Sequence, residues 1–228
     1  MMGISRFGEV EKAVRQTFDV AIAEKVDAYF FLGDLADPDT GGDTFASIDL
    51  LQNQVLRCVR NNIHFIAIAG NHDICTDGTG ATTLTPLRSL EKRFPEHITI
   101  AEIPRNVTLG SDLIACCLPY TAPSHAYEPE HTAKIMMMTS HERVIVLGHL
   151  MLPGIHAGSE TVDMPRGREV SFPIHETTDA FMRFNGHYHR RQKLDTDDGG
   201  PPIIIPGSLC RLAFGEESNE PGFLIVEV

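Results

Sequence analysis

Residues 63–73 of the chain read IHFIAIAGNHD, and this stretch organises the interpretation of the whole sequence. It begins as an apolar run rich in β-branched isoleucine, a composition that predicts a fully buried strand. The run ends at Gly70 and is followed by Asn71, His72 and Asp73. These side chains offer a hard oxygen, an imidazole that can move a proton, and a carboxylate that can orient it. Gly-Asn is also ordinary turn chemistry, so the stretch alone leaves a functional site and a simple turn equally open.

The sequence before this stretch alternates between helical and strand patterns. Apolar residues recur at helical spacing over residues 9–25, which predicts an amphipathic helix. The apolar residues 26–32 follow as a predicted strand, and residues 45–62 again show the spacing of a helix. The first half of the chain therefore has the alternation of an α/β protein.

The second half is richer in short strands. A short helix is predicted for residues 85–94, with Pro86 in its first turn, and another for residues 127–140. Predicted strands lie at residues 98–103, 107–109, 113–118, 144–147, 180–184, 202–205 and 223–228, with a loop over 153–173. We expect one domain over residues 1–228 with a layered α/β fold, in which a mixed sheet or two packed sheets are flanked by helices.

Composition and charge narrow the class of protein. The chain has 228 residues, 42% of them hydrophobic, and a mean hydropathy of −0.09, as in soluble globular domains. No apolar run approaches the ~18 residues of a membrane span, and no secretory signal precedes the first helix. The five cysteines show no C-x-x-C spacing, so we expect reduced thiols in a cytoplasmic protein. With a formal net charge of −12, binding to nucleic acid requires metal ions or a partner to supply positive charge.

Four of the predicted strands end in the same way, with a glycine and then a side chain that can bind a metal. Glycine lets the backbone turn sharply, and ligands of α/β sheets collect at the carboxyl ends of strands. A single histidine after a strand is more often an ordinary loop residue, but four coincidences together favour a shared site. The four strand ends read Gly33-Asp34, Gly70-Asn71-His72-Asp73, Gly148-His149 and Gly186-His187-Tyr188-His189.

The candidate ligands combine oxygen and imidazole donors and include no sulfur. This mixture suits manganese, iron, zinc or magnesium and argues against a thiolate structural site. An aspartate can bridge two ions ~3.5–4 Å apart, as in hydrolytic two-metal centres that activate water and stabilise charge on a phosphate. His72 is the remaining imidazole and could donate a proton to the leaving oxygen. The candidate ligands are Asp34, Asn71, His149, His187 and His189.

The order and spacing of these four strand ends resemble those of the calcineurin-type metallophosphoesterases. The resemblance implies an α-β-β-α sandwich with mixed sheets and a metal-dependent phosphoesterase activity. It also implies that Asp34 bridges the metals and that His189 belongs to one site. His72 would be the proton donor, with Asp73 beside it. The other site would be completed by Asn71, His149 and His187.

Within that family, residues 206–217 and 221–223, together with residues 7–31, resemble the SbcD-type DNA repair nucleases. This resemblance implies DNA as substrate, Mn²⁺ as the metal, and an SMC-like ATPase of the SbcC type as partner. A small-substrate phosphodiesterase or phosphomonoesterase stays open, because the tail pattern is also a simple strand–turn–strand that many family members share. A non-catalytic subunit with an incomplete metal centre is the third alternative. Candidate basic residues for DNA contact are Arg105, Arg166, Arg168, Arg190 and Arg191.

The first motif of that family, Asp-x-His at the end of the first strand, does not occur in this sequence. The first aspartate is Asp19, inside the predicted helix, and the first histidine is His64. We therefore expect a sandwich without its first strand, and a second metal site that retains only Asp34 and His189. The centre would hold two ions if the motif is supplied and otherwise one. The favoured explanation is a misplaced start codon or a truncation. The alternatives are completion by a partner, such as a second copy in a homodimer, and a one-metal or metal-free protein.

Overall fold

The structure of the protein is a computed structural model. It describes residues 6–38, 43–120, 137, 143–152, 155, 174–212 and 214–228. The helix predicted for residues 127–140 lies outside these ranges apart from Met137, and the loop predicted for 153–173 lies outside them apart from Ile155. Arg166 and Arg168 also lie outside the described residues.

The first half of the chain forms a parallel three-stranded sheet covered by helices. Helix α1 (Phe7–Glu24) leads into β1 (Ala28–Phe31), and α2 (Asp43–Arg60) leads into β2 (His64–Ile68). A 3-10 turn at residues 85–87 continues into α3 (Arg88–Arg93), which precedes β3 (Ile98–Ala101). The sheet order is β1-β2-β3, and both pairs are parallel because a helix connects each strand to the next. The predicted helices and strands of this half are confirmed, with ends shifted by a few residues.

The second half forms a six-stranded mixed sheet in the order β4-β5-β6-β7-β9-β8. The outer pairs β4–β5 and β8–β9 are antiparallel, while β5, β6, β7 and β9 run parallel to one another. This sheet confirms the prediction of a mixed sheet in a layered α/β fold. Its strands are β4 (Arg105–Leu109), β5 (Leu113–Leu118), β6 (Arg143–Gly148), β7 (Met182–Asn185), β8 (Gln192–Leu194) and β9 (Ile203–Ile205).

The two sheets pack face to face, because alternate residues of the central strands point into different apolar clusters. In β5, Ala115 and Cys117 lie in a cluster that also contains Ile66 of β2, so this cluster fills the space between the sheets. Cys116, one residue along, lies in a separate cluster on the outer face of the mixed sheet. A third cluster packs the helices against the outer face of the three-stranded sheet, with Phe18 stacked on its strands. Both faces of each sheet are therefore covered.

Two differences from the sequence-based prediction concern the C-terminal third. Residues 223–228 are predicted as a strand, but they pair with none of the described strands, so this prediction is wrong. A strand requires a hydrogen-bonded neighbour, and the Phe223 carbonyl instead accepts a hydrogen bond from the Arg191 side chain at 3.3 Å. The apolar side chains of this segment, including Leu224 and Ile225, stay partly or largely exposed. β8 was not predicted, because it is short and polar and forms the edge of its sheet.

The packing brings the carboxyl ends of strands from both sheets to one place. The Leu32 carbonyl, just after β1, lies 2.6 Å from the His149 ring just after β6. The Gly186 amide after β7 donates to the Gly148 carbonyl at 2.8 Å. Strand ends from both sheets therefore meet at a common edge. Within the described residues, no helix is long and apolar enough to cross a membrane.

Candidate metal centre

The backbone at this edge has positive φ angles, which residues other than glycine rarely adopt. Asp34 has a φ of 60° and His187 a φ of 69°, both in the left-handed region where non-glycine residues are uncommon. Gly33, directly before Asp34, has a φ of 93°. Non-glycine residues in this region cost about 1–3 kcal/mol each and concentrate at functional sites. Two of the five candidate ligands thus sit on backbone that the surrounding structure must hold in place.

The glycines of the motifs allow the strand ends to approach closely. A Cβ atom on Gly70 would collide with Asp34 Oδ1 and would lie 2.6 Å from the Asp34 amide nitrogen. A Cβ atom on Gly33 would lie 2.5 Å from His149 Nδ1. Real Cβ atoms do not approach other atoms so closely, so any larger residue would push the candidate ligands apart.

His149 is the most deeply buried of the candidate ligands, with its side chain 1% exposed. Its Nδ1–H donates to the Leu32 carbonyl at 2.6 Å, and because a carbonyl only accepts, the proton lies on Nδ1. Nε2 then faces the centre, 3.2 Å from Asp34 Oδ2 and 3.1 Å from Asn71 Oδ1. A backbone carbonyl behind a histidine is the usual device for fixing a ligand imidazole.

His187 completes this group from the other side. Its Nδ1 lies 2.9 Å from Asn71 Oδ1, and its ring meets the His149 ring edge-on at a centroid distance of 5.3 Å. The Nε2 atom of His187 lies 3.1 Å from the sulfur of Met151. The Asn71 amide oxygen is therefore shared between two imidazoles.

Burial and charge set the protonation of these side chains. Burial and the neighbouring His149 lower the pKa of His187 to about 4. Burial tends to raise the pKa of Asp34, but the charge and hydrogen bond of His149 outweigh it, and the pKa falls to about 2. Burial tends to lower the pKa of His149, but Asp34 outweighs this and the pKa is raised. At neutral pH, Asp34 is therefore an anion and His187 a neutral imidazole, the forms that bind a metal.

These side chains fit a divalent cation. Among the described residues, ligand atoms of Asp34, His149 and His187 lie within 4.8 Å of one another. The Asn71 amide oxygen lies among them. One carboxylate, one amide oxygen and two imidazoles form a donor set without sulfur, which suits manganese, iron, zinc or magnesium. A bound ion would activate water and stabilise negative charge on a phosphate.

His189, the fifth candidate ligand, lies outside this group and forms a hydrogen bond with a buried carboxylate. Its Nδ1 lies 2.6 Å from Oε1 of Glu216, a carboxylate with no exposed surface. The structure therefore does not bring His189 into one cluster with the other candidate ligands. This contact was not predictable from the sequence, because Glu216 follows His189 by 27 positions.

His72 lies at the open side of the centre, with its side chain 53% exposed. Its backbone N–H donates to Asp34 Oδ1 at 2.9 Å, which ties it to a candidate ligand. Its Nδ1 lies 3.5 Å from Asp37 Oδ2. Asp37 was not singled out from the sequence, because it lies in a loop whose path no local pattern indicates. The carboxylate beside the His72 ring is thus that of Asp37.

Asp73, predicted to orient His72, makes different contacts in the described structure. It is fully buried and accepts backbone N–H groups of Gly70 at 2.7 Å and of Asp34 and Leu35 at 2.8 Å each. It also accepts the hydroxyl of Thr83. Burial and the nearby Asp34 raise its pKa. Asp73 therefore ties the loop after β1 to the loop after β2, and its catalytic role stays a prediction.

The basic residues considered for DNA contact have differing surroundings. Arg105, on the outer strand β4, forms an ion pair with Glu91 at 2.8 Å. Arg191 donates to the carbonyls of Pro206 and Phe223, and Arg190 is exposed. Of the three, Arg190 and Arg191 follow His189 directly and lie nearest to the centre along the chain.

The comparison with protein-family models agrees with this geometry. The match covers residues 6–191, more than half of the chain, and includes every candidate ligand together with His72 and Asp73. The matching family is described as calcineurin-like phosphoesterase. The chain therefore belongs to the calcineurin-like phosphoesterases, a family of metal-dependent phosphoesterases.

Proposed function

We propose that the protein is an SbcD-like nuclease that hydrolyses phosphodiester bonds of DNA with Mn²⁺. One observation supports phosphodiesterase activity. Ligand atoms of Asp34, His149 and His187 lie within 4.8 Å of one another, where strand ends from both sheets meet. Such a centre binds a phosphate through its metal and needs no basic groove around the scissile bond.

The residues divide metal binding from proton transfer. Asp34, Asn71, His149 and His187 would hold one ion, and Asp34 with His189 would contribute to a second. His72 is exposed, so a substrate can reach its ring. With Asp37 beside Nδ1, the Nε2 atom of His72 is available to protonate the leaving oxygen.

DNA as the substrate is supported by the tail of the chain. Residues 206–217 resemble the SbcD-type nucleases, and within them Glu216 reaches the candidate ligand His189 at 2.6 Å. The tail is thus part of the surroundings of the centre. Because the net charge is −12, we expect a partner of the SbcC type, an SMC-like ATPase, to contribute DNA affinity.

A small-substrate phosphodiesterase or phosphomonoesterase is the second candidate, favoured by that same charge of −12. Such substrates carry few phosphates and gain little from a basic surface. A non-catalytic subunit is the third, since the described cluster contains only three His or carboxylate ligands.

Hydrolysis assays separate these candidates. The purified chain with Mn²⁺ would be offered single-stranded DNA, duplex DNA and bis-nitrophenyl phosphate, with and without a chelator. We expect metal-dependent DNA cleavage that is lost in His149→Ala and kept in His175→Ala, since His175 is an exposed histidine paired with Glu176. Turnover of the ester without DNA cleavage would refute the nuclease. No hydrolysis, with one ion or none by elemental analysis, would favour the non-catalytic subunit.

A further inference from the structure

Glu216 is a buried carboxylate that faces a candidate metal ligand. Its side chain has no exposed surface, and burying an ionisable group is costly unless hydrogen bonds compensate. Oε1 lies 2.6 Å from His189 Nδ1, and Oε2 accepts the Leu212 backbone N–H at 2.6 Å. Both oxygens are thus engaged, which fixes the plane of the carboxylate.

The segment that carries Glu216 is anchored on both sides. Glu216 ends a 3-10 turn at residues 214–216, and its carbonyl accepts the Asn219 amide at 2.9 Å. Arg211 donates from Nε to the Asn219 carbonyl at 2.9 Å. The side chain of Arg6, the N-cap residue of α1, donates to the Arg211 carbonyl at 2.5 Å. The position of the carboxylate is therefore determined by the fold and not by His189 alone.

The contact also determines which nitrogen of His189 carries the proton. A carboxylate accepts hydrogen bonds, so a neutral imidazole facing Oε1 through Nδ1 carries its proton there. Nε2 is then left with its lone pair. His149 has the same arrangement, with the Leu32 carbonyl in place of the carboxylate. Two candidate ligands are thus each held through Nδ1 by a fixed acceptor.

We propose that Glu216 is a positioning residue that holds His189 as its Nδ1–H tautomer, in which Nε2 is the nitrogen that can bind a divalent cation. The proposal rests on the function proposed above and extends it to the C-terminal segment. Carboxylates behind ligand histidines typically contribute about 10–100-fold in metal affinity. The tail would then act on the metal centre through a side chain that touches no metal itself.

The tautomer can be measured without metal or substrate. Long-range ¹H–¹⁵N correlation spectra of the metal-free chain at about pH 8 distinguish the two tautomers, and His189→Ala identifies the signal of His189. We expect the Nδ1–H tautomer in the wild type and in Glu216→Gln, whose amide oxygen can still accept. We expect its loss in Glu216→Ala. Any other state in the wild type, or an unchanged signal in Glu216→Ala, would overturn the proposal.

Metal titration tests the consequence. Mn²⁺ binding would be followed by electron paramagnetic resonance in Glu216→Ala, His189→Ala and the double variant. We expect Glu216→Ala to weaken one ion by about 10–100-fold and to add nothing once His189 is removed, since coupled residues are not additive. Fully additive losses would contradict the proposal. If the wild type binds no metal, the proposed function fails, while the tautomer spectra still decide the role of Glu216.

Glu102→Gln serves as the matched control. Glu102 is also a nearly buried carboxylate, 8% exposed; it accepts the hydroxyls of Thr82 and Thr85 and pairs with Arg88, and none of these is a candidate ligand. We expect this variant to leave the His189 tautomer and the Mn²⁺ affinity unchanged. A shift of either in Glu102→Gln equal to that in Glu216→Ala would show a general loss of structure and would overturn the specific role.

Discussion

The Asp73→Ala variant tests whether this carboxylate holds the centre together or takes part in the chemistry. Asp73 is completely buried and accepts three backbone N–H groups, from Asp34, Leu35 and Gly70. Alanine would leave all three donors without their acceptor, the Gly70 amide in buried surroundings and the other two in partly buried ones. The Thr83 hydroxyl is a fourth donor to this carboxylate.

The expected loss of stability follows from those donors. An unsatisfied buried donor such as the Gly70 amide costs about 1–3 kcal/mol, and the two partly buried donors each cost less. Burial and Asp34 raise the pKa of Asp73, which means that its ionised form carries a penalty that the variant removes. This relief offsets part of the loss, and we expect a net decrease in the free energy of unfolding of at least about 2 kcal/mol.

Urea denaturation followed by circular dichroism measures this decrease. Asp73→Asn keeps one acceptor oxygen and should lose less, so it covers the case in which the alanine variant does not fold. Thr83→Val, which removes one donor and orphans no backbone group, should cost about 1 kcal/mol. An Asp73→Ala variant with wild-type stability but no hydrolysis would refute the reasoning and would favour a direct chemical role.

Three further predictions concern the candidate ligands, a glycine beside them and a buried ion pair. His72→Ala should abolish turnover and keep the bound metal, whereas His149→Ala should lower metal content by elemental analysis; equal metal loss in both would show that His72 is a ligand. Gly70→Ala should weaken Mn²⁺ binding by about tenfold or more, because overpacking costs about 1–3 kcal/mol and 1.4 kcal/mol is tenfold. Gly8→Ala, whose Cβ would meet nothing within 4 Å, is its control. Asp198→Ala removes a carboxylate that pairs with the buried Arg183 and should cost roughly 3–5 kcal/mol at neutral pH. Burial tends to raise the pKa of Asp198, but hydrogen bonds from the arginine outweigh it and hold the pKa below 3.8. The difference in free energy of unfolding between the wild type and Asp198→Ala, measured by urea denaturation, should therefore be constant above pH 3.8 and shrink as the pH falls below it. A difference that grows on acidification would contradict this.

The strand ends were predictable from the sequence because their signal is local. Each is an apolar run that stops at a glycine, and Asp34, Asn71, His149 and His187 follow directly. Within each sheet, their proximity follows from the rule that parallel strands present their carboxyl ends on one side. That the two sheets meet at the same edge is seen only in the structure. The helices were predictable for the same reason, since their spacing repeats over several turns.

Contacts between distant segments were not predictable in this way. The hydrogen bond of Glu216 to His189 depends on how the tail folds back, and a FGE sequence by itself indicates no partner. The role of Asp73 as a backbone acceptor depends on the left-handed turn at Asp34, which no local pattern announces. The strand predicted for residues 223–228 shows the converse, because composition favours a strand but a neighbouring strand must be present to pair with it.

The arrangement of ligands has a consequence for the thermodynamics of the fold. Asp34 and Asn71 follow strands of the three-stranded sheet, while His149 and His187 follow strands of the mixed sheet. An ion held by all four would cross-link the two layers, as a disulfide links two chain segments. Because it binds the folded state alone, it would add about 2.7 kcal/mol at a concentration of 100 times its Kd. Metal availability would thus regulate the thermodynamic stability of the folded protein as well as its rate of hydrolysis.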